Sequence, residues 1–174
     1  MVRFALDEAF PDTIFKTLEV GVREATLVPL RQIDARLLHI DDWKLLLSLY
    51  HLPGWDGLIS TDSNILNLPR ELAVIHQTRL TVVIVERAGH DPIRAAGLLL
   101  VHLPHICRKT VKTVGQIWRL SAQTKNHDDP MGELRKIASH RDVSTKQLFH
   151  ASKLSKAELQ RNPLDELPFG AKSP

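Results

Sequence analysis

Leu80–Glu86, with the sequence LTVVIVE, is the stretch that decides the fold class. Its β-branched side chains predict a strand, and the run is too continuously apolar for an exposed edge, so we expect it to lie inside a sheet. Soon after it, Asp91 suits the N-cap and Pro92 the first position of a helix that runs to about Leu103. A buried strand followed by a helix is the repeating unit of a parallel α/β sheet.

The same alternation continues on both sides of this unit. Further strands are predicted at 2–6, 26–30, 57–60 and 116–120, and further helices at 13–20, 43–50, 69–76 and 130–140. Pro29 indicates that the second strand lies at an edge or ends there. Repeated strand–helix units predict a three-layer α/β/α fold with a central, mostly parallel sheet and right-handed connections.

Length and composition predict one compact domain over residues 1–144. The chain has 174 residues, of which 43% are hydrophobic and 25% charged, values that exclude wholesale disorder and fibrous classes. For residues 145–174 we expect at most one polar helix and a proline-bearing tail with few core residues. Such a tail is free to be mobile or to bind a partner.

The N-terminal residues and the apolar runs of the sequence predict a cytoplasmic protein without a membrane span. The acids Asp7 and Glu8 come too early for a signal peptide, and the apolar run at 95–101 is too short to cross a bilayer. A single cysteine, Cys107, cannot form an internal disulfide. Oligomeric state is left open, with a homodimer among the alternatives.

The formal net charge of +3 permits a polyanionic ligand without requiring one. Two basic groups are the predicted phosphate contacts if the ligand is a nucleic acid. They consist of Arg31 with Arg36, and of Arg108 and Lys109 with Lys112.

Acids stand where a parallel sheet places its ligands. Asp7 follows the first strand and Asp62 the third, while Asp41 and Asp42 begin the helix that leads into the third strand. Ligands of open α/β sheets bind outside the carboxyl ends of the strands, so these carboxylates are expected to converge. Like charges held close together need a counter-charge, which Mg²⁺ or Mn²⁺ supplies through oxygen ligands. A strand end, a helix dipole or an Asx-turn explains each acid taken alone, and only the joint pattern favours a site.

Three places resemble the PIN-like nucleases, especially the small ribonuclease toxins of bacterial toxin–antitoxin pairs. Residues 4–11, FALDEAFP, are similar to that family's opening strand with its first metal acid. The segment Ser60–Asn64, STDSN, is similar to its third-strand motif, and Asp42 lies where the family has its helix-borne acid. The resemblance covers about residues 1–120. It implies a metal-dependent endoribonuclease acting on RNA, a protein antitoxin as partner, and Mg²⁺ or Mn²⁺ held by Asp7, Asp42 and Asp62, with Thr61 and Asn64 beside them.

Two departures from the family's pattern leave alternatives open. Asn64 stands where a further acid is common, which favours one metal over two, while Asp41 competes with Asp42 and Glu8 is a substitute ligand for either. Asn64 also supports a catalytically inactive PIN-like interaction module.

A receiver-like phosphoacceptor domain is the other alternative. It would use Asp7 and Glu8 as its acid pair, Asp62 as phosphoacceptor and Lys125 as the lysine that follows the last strand.

Overall fold

The computed structural model describes residues 1–8, 10, 12–88, 91–124 and 126–167. The strands are Val2–Leu6 (β1), Ala25–Pro29 (β2), Gly57–Ser60 (β3), Thr81–Val85 (β4) and Gln116–Leu120 (β5). The α-helices are Asp12–Gly21 (α1), Leu30–Ile33 (α2), Asp42–His51 (α3), Pro69–Thr78 (α4), Pro92–Lys109 (α5), Pro130–His140 (α6), Thr145–Ser152 (α7) and Lys156–Leu159 (α8). Short 3-10 helices cover Ala35–His39, Ser63–Leu66 and Pro163–Glu166.

The sheet has five strands in the order β2-β1-β3-β4-β5, and each neighbouring pair is parallel. β2 is an edge strand that ends at Pro29, and β4 is interior with every residue buried, as predicted. The chain proceeds from β1 to β2 on one side and returns to β3 on the other, so the strand order reverses between β1 and β3. In doubly wound sheets of this order, that switch point is where ligands bind.

Alternating side chains build two apolar layers, one on each face of the sheet. Leu58 and Ile84 belong to the core that α3, α4 and α6 cover, whereas Ile59 and Val83 belong to the core under α1 and α5. The period of two along each strand is what divides the side chains between the faces. The structure therefore confirms the three-layer α/β/α architecture.

Helix α5 extends to Lys109, past the end predicted near Leu103, and contains Pro104. A proline inside a helix removes one backbone hydrogen bond. Leu103 and Ile106, both fully buried, hold the two sides of Pro104 against the sheet, so packing outweighs the local break. None of the described helices combines the length and apolarity that a membrane span needs.

The prediction that residues after Thr145 contribute little to the core is wrong as far as residue 167. Leu148, Leu154 and Leu164 are buried, and Arg36 Nη1 donates to the Leu164 carbonyl at 2.8 Å. These leucines are spaced too irregularly to form one helical stripe, because short separate helices carry or flank them. Residues 168–174, the rest of the predicted tail, lie outside the described residues, and a partner-binding role for them stays a prediction.

Candidate acidic site at the carboxyl edge of the sheet

A buried serine joins the ends of β1 and β3. The backbone N–H of Asp7 donates to the Ile59 carbonyl at 3.0 Å, which continues the strand ladder by one bond and brings Asp7 beside Ser60. Ser60 Oγ donates to Asp7 Oδ2 at 2.6 Å and accepts from the Asp62 backbone N–H at 3.0 Å. Because Ser60 is only 3% exposed, this bridge fixes the relative placement of the two strand-end acids.

Asp7 is held at both carboxylate oxygens. Oδ1 accepts from the backbone N–H of Glu8 at 2.7 Å, while Oδ2 receives the Ser60 hydroxyl. Hydrogen bonds to a carboxylate are stronger than those between neutral groups, so the orientation of Asp7 is well determined. Glu8 itself is exposed, and its carboxylate contacts no partner among the residues described.

Asp62 opens a turn as well as standing at a strand end. Its Oδ1 accepts from the Asn64 backbone N–H at 2.8 Å, which caps the 3-10 helix Ser63–Leu66. Asp62 therefore forms the expected Asx-turn, but the turn occupies only its Oδ1 atom. Thr61, half-exposed, and Asn64, exposed, lie on the same turn, and within the described part of the chain their side chains make no hydrogen bond.

Asp42 is the first residue of α3 and is half-buried. Burial, followed by the negative charges of Asp62, Asp7 and Asp41, raises the pKa of its carboxyl group. Asp42 thus lies close enough to both strand-end acids for their charges to act on it. Asp41 is mostly exposed and pairs with Lys44 at 3.0 Å, whereas Asp42 has no cation bonded to it among the described residues.

Two residues of this region, Ser60 and Glu71, were not predicted from the sequence. Ser60 carried a signal, since a hydroxyl closes an apolar strand directly before Thr61 and Asp62. Glu71 carried none, because an acid in the first turn of a helix is ordinary. Yet Glu71 is 5% exposed, and its pKa is raised by burial first and then by Asp42, which places a buried carboxyl group behind the site.

The donors are all oxygens, as Mg²⁺ and Mn²⁺ prefer. Among the residues described, no three acid, histidine or cysteine side chains are grouped tightly enough to hold an ion between them. The acids are more widely spaced than the convergence expected from the sequence. Mg²⁺ usually binds through one or two carboxylates and retains several waters, so it does not need three acids in direct contact. By donor chemistry, Asp7, Asp42 and Asp62 suit such an ion.

The predicted basic groups do not surround this site. Because α5 runs antiparallel to the strands, its last residues, Arg108 and Lys109, reach the amino edge of the sheet. Lys112 pairs there with Asp56, which directly precedes β3, at 2.9 Å. Arg36 is bound to Asp34 and to the C-terminal segment. Arg31 follows the carboxyl end of β2 by two residues.

Fold and site together define a doubly wound α/β protein with an acidic strand-end site. Comparison with protein-family models, curated proteins and solved structures finds no match for the chain. The resemblance to PIN-like nucleases rests on the short motifs around Asp7, Asp42 and Asp62, and it stays a prediction.

Proposed function

We propose that the chain is a divalent-metal-dependent endoribonuclease that hydrolyses RNA phosphodiester bonds. The observation that carries the proposal is the bridge through Ser60 between Asp7 and Asp62 at the switch point, with Asp42 near enough for their charges to raise its pKa and with no cation among the described residues bonded to any of the three. Three such acids are unfavourable together unless a ligand brings positive charge. A role as the toxin of a toxin–antitoxin pair, a protein antitoxin and a cytoplasmic location follow from the sequence resemblance and composition.

Each residue of the site has a distinct task in this proposal. Mg²⁺ or Mn²⁺ would be held by Asp7, Asp42 and Asp62. Of these, Asp7 is oriented by the Ser60 hydroxyl and the Glu8 N–H. A bound ion of this kind supplies activation of water and stabilisation of the charge that develops on the phosphate. Thr61 and Asn64 present a hydroxyl and an amide on the Asp62 turn, where they orient water or a phosphate oxygen. Because Asn64 is neutral, the site suits one ion better than two.

The test is cleavage of a mixed RNA pool by the purified protein with Mg²⁺, Mn²⁺ or EDTA. We expect cleavage with either metal and none with EDTA. Asp62→Asn should lose Mn²⁺ binding and RNA cleavage together, because one carboxylate serves both. If RNA stays intact with both metals, the enzymatic proposal fails and the inactive interaction module is the better description.

The strand order favours one second candidate, a receiver-like phosphoacceptor domain, since such domains share it. Asp62 would then accept a phosphoryl group at the end of β3. The lysine predicted to complete this site, Lys125, lies outside the described residues. Incubation with acetyl phosphate and Mg²⁺ decides between the two, because only the receiver-like protein forms a hydroxylamine-sensitive phosphate on Asp62.

A further inference from the structure

A site made of acids needs a cation nearby if its substrate is a polyanion. Two cations at the carboxyl edge are bonded to acids of the protein itself. Arg119 pairs with Glu86 and Glu133, and Lys44 with Asp41. Arg87 differs from them because it is exposed and has no side-chain partner among the described residues.

The strand order places Arg87 at the same edge of the sheet as the Asp62 turn. β4 adjoins β3, and the last pair of their ladder is Ile84 with Ser60, so Asp62 and Arg87 follow that pair by two and three residues along their own strands. Neighbouring strands lie about 4.8 Å apart. Arg87 is flanked by Glu86, which contacts Arg119 at 3.6 Å, and by Ala88, which is 3% exposed. These two contacts hold the backbone of Arg87 at the carboxyl edge, at the end of the strand next to β3.

The backbone of Arg87 is in the left-handed region, with φ of 55°. This region is unfavourable for side chains with a Cβ atom and suits glycine. Arg79, at φ 61°, has a local reason for it, because it is the C-cap of α4 and its N–H donates to the Ile75 carbonyl. Arg87 caps no helix and takes this conformation in the turn that directly follows β4. A positive φ is uncommon for residues other than glycine, asparagine and aspartate.

We propose that the Arg87 guanidinium binds a phosphate of single-stranded RNA at the rim of the acidic site. This inference rests on the proposed function, since it names a substrate contact of the same site. A guanidinium forms paired hydrogen bonds to phosphate, and its charge displaces counterions from the RNA. Arg87 is therefore a substrate-binding residue that positions the RNA, while the acids do the chemistry.

The experiment measures binding of a fluorescently labelled, mixed-sequence single-stranded RNA by anisotropy over a series of salt concentrations. It has one arm with EDTA and one with Ca²⁺. Arg87→Gly removes the guanidinium and relieves the backbone, Arg87→Lys keeps the charge, and Arg79→Gly is the matched control at the amino edge of the same strand. Both glycine variants should unfold at the wild-type temperature or above, which excludes misfolding as a cause.

We expect Arg87→Gly to bind RNA about tenfold more weakly and to lower the salt slope by about 0.7, the value for one phosphate contact on a single strand. Arg87→Lys should keep the slope but bind more weakly than wild type, because lysine lacks the planar fork. Arg79→Gly should match wild type.

The inference is overturned if Arg87→Gly binds as wild type does, if Arg79→Gly weakens binding equally, or if wild type binds RNA in neither arm. Cleavage with Mn²⁺ is scored separately. A protein that binds RNA through Arg87 without cleaving it contradicts the nuclease proposal and leaves this contact standing. A protein that cleaves RNA while Arg87→Gly binds normally contradicts the contact alone.

Discussion

The two halves of the sheet's carboxyl edge treat their acids in opposite ways. At β4 and β5, Glu133 is well buried, yet it accepts hydrogen bonds from Arg119 at 2.7 Å and Lys136 at 2.6 Å. Burial acts to raise its pKa, but the bonds from Lys136 and Arg119 outweigh burial, and the pKa is lowered. At β1 and β3, burial and neighbouring acids raise the pKa of Asp42.

The two halves differ in whether their acids are paired with cations of the protein. Arg119 contacts three acids, Glu86, Asp128 and Glu133, so the β4–β5 half balances its charges within the fold. The same fold leaves Asp7, Asp42 and Asp62 without a bonded cation among the described residues. Like charges placed near one another destabilise a protein unless they bind a counter-charge, and an acid whose pKa neighbouring acids raise, as for Asp42, is a candidate for function.

The largest expected effect is on RNA cleavage. Asp42→Asn should lower the Mn²⁺-dependent cleavage rate about a hundredfold or more, because metal catalysis is worth several kcal/mol. Asp128→Asn is the matched control from the balanced half, where its contact to Arg119 is one of three. Single-turnover rates on one RNA measure both. Equal losses in the two variants would contradict the division of the edge.

Ser60→Ala tests whether the bridge between the strand ends supports the metal site. Without the hydroxyl, Asp7 loses one orienting bond and the Asp62 N–H loses its acceptor. We expect Mn²⁺ affinity to fall by about 10-fold to 100-fold, as for other residues that orient metal ligands, and stability to fall by about 1 kcal/mol. Isothermal titration calorimetry and urea unfolding measure the two. Ser63→Ala, at an exposed serine of the same turn, should change neither, and unchanged Mn²⁺ affinity in Ser60→Ala would show that the bridge is structural only.

Glu133→Gln tests the balanced half. It leaves Arg119 and Lys136 with a weaker partner, and we expect the free energy of unfolding to fall by about 1–2 kcal/mol. The loss is smaller than for a fully buried ion pair because Arg119 is 30% exposed. The lowered pKa means that this stabilisation is present above the pKa of the unfolded chain and disappears as pH falls through the folded one. Urea unfolding at several pH values measures it. Exposed Glu19→Gln is the control, and a Glu133→Gln loss that persists in acid would exclude charge as its cause.

The sequence predicted the fold through its strands. β1, β3 and β5 have the predicted bounds, because each is a short, largely apolar segment between polar or turn residues, which admits few other structures. The end of α5 and the helices after residue 145 were not predicted, since tertiary packing of Leu103, Ile106 and Leu148 decides them rather than local preference.

For the site, the rule about strand ends was sufficient to select Asp7 and Asp62, and the resemblance selected Asp42. The sequence had no means of showing that Ser60 joins two strands or that Glu71 is buried behind Asp42, because both facts depend on which strands and helices are neighbours. The basic groups were selected by clustering along the chain. The direction of α5 then carried Arg108 and Lys109 away from the acids.

The smallest expected effect, on metal-free stability, tests the unbalanced half directly. The folded pKa of Asp42 is raised above its ordinary value of 3.8, so the folded state holds its proton more tightly and its stability decreases as pH rises through that range. Asp42→Asn lacks the charge. In EDTA at pH 7 it should therefore be more stable than wild type by up to about 1 kcal/mol, or about 2–4 °C in Tm. The gain should shrink on acidification and vanish below about pH 4, where the aspartic acid is neutral too.

Thermal unfolding at pH 3.5, 5 and 7 measures this gain, with Asp41→Asn as control. That exposed acid is paired with Lys44, so its replacement should give no gain at any pH. A gain in Asp42→Asn that persisted at pH 3.5 would come from the amide's own bonds rather than from relief of charge. The contrast between the two halves would then lose its electrostatic basis, because repulsion from neighbouring acids would not destabilise the charged form of Asp42.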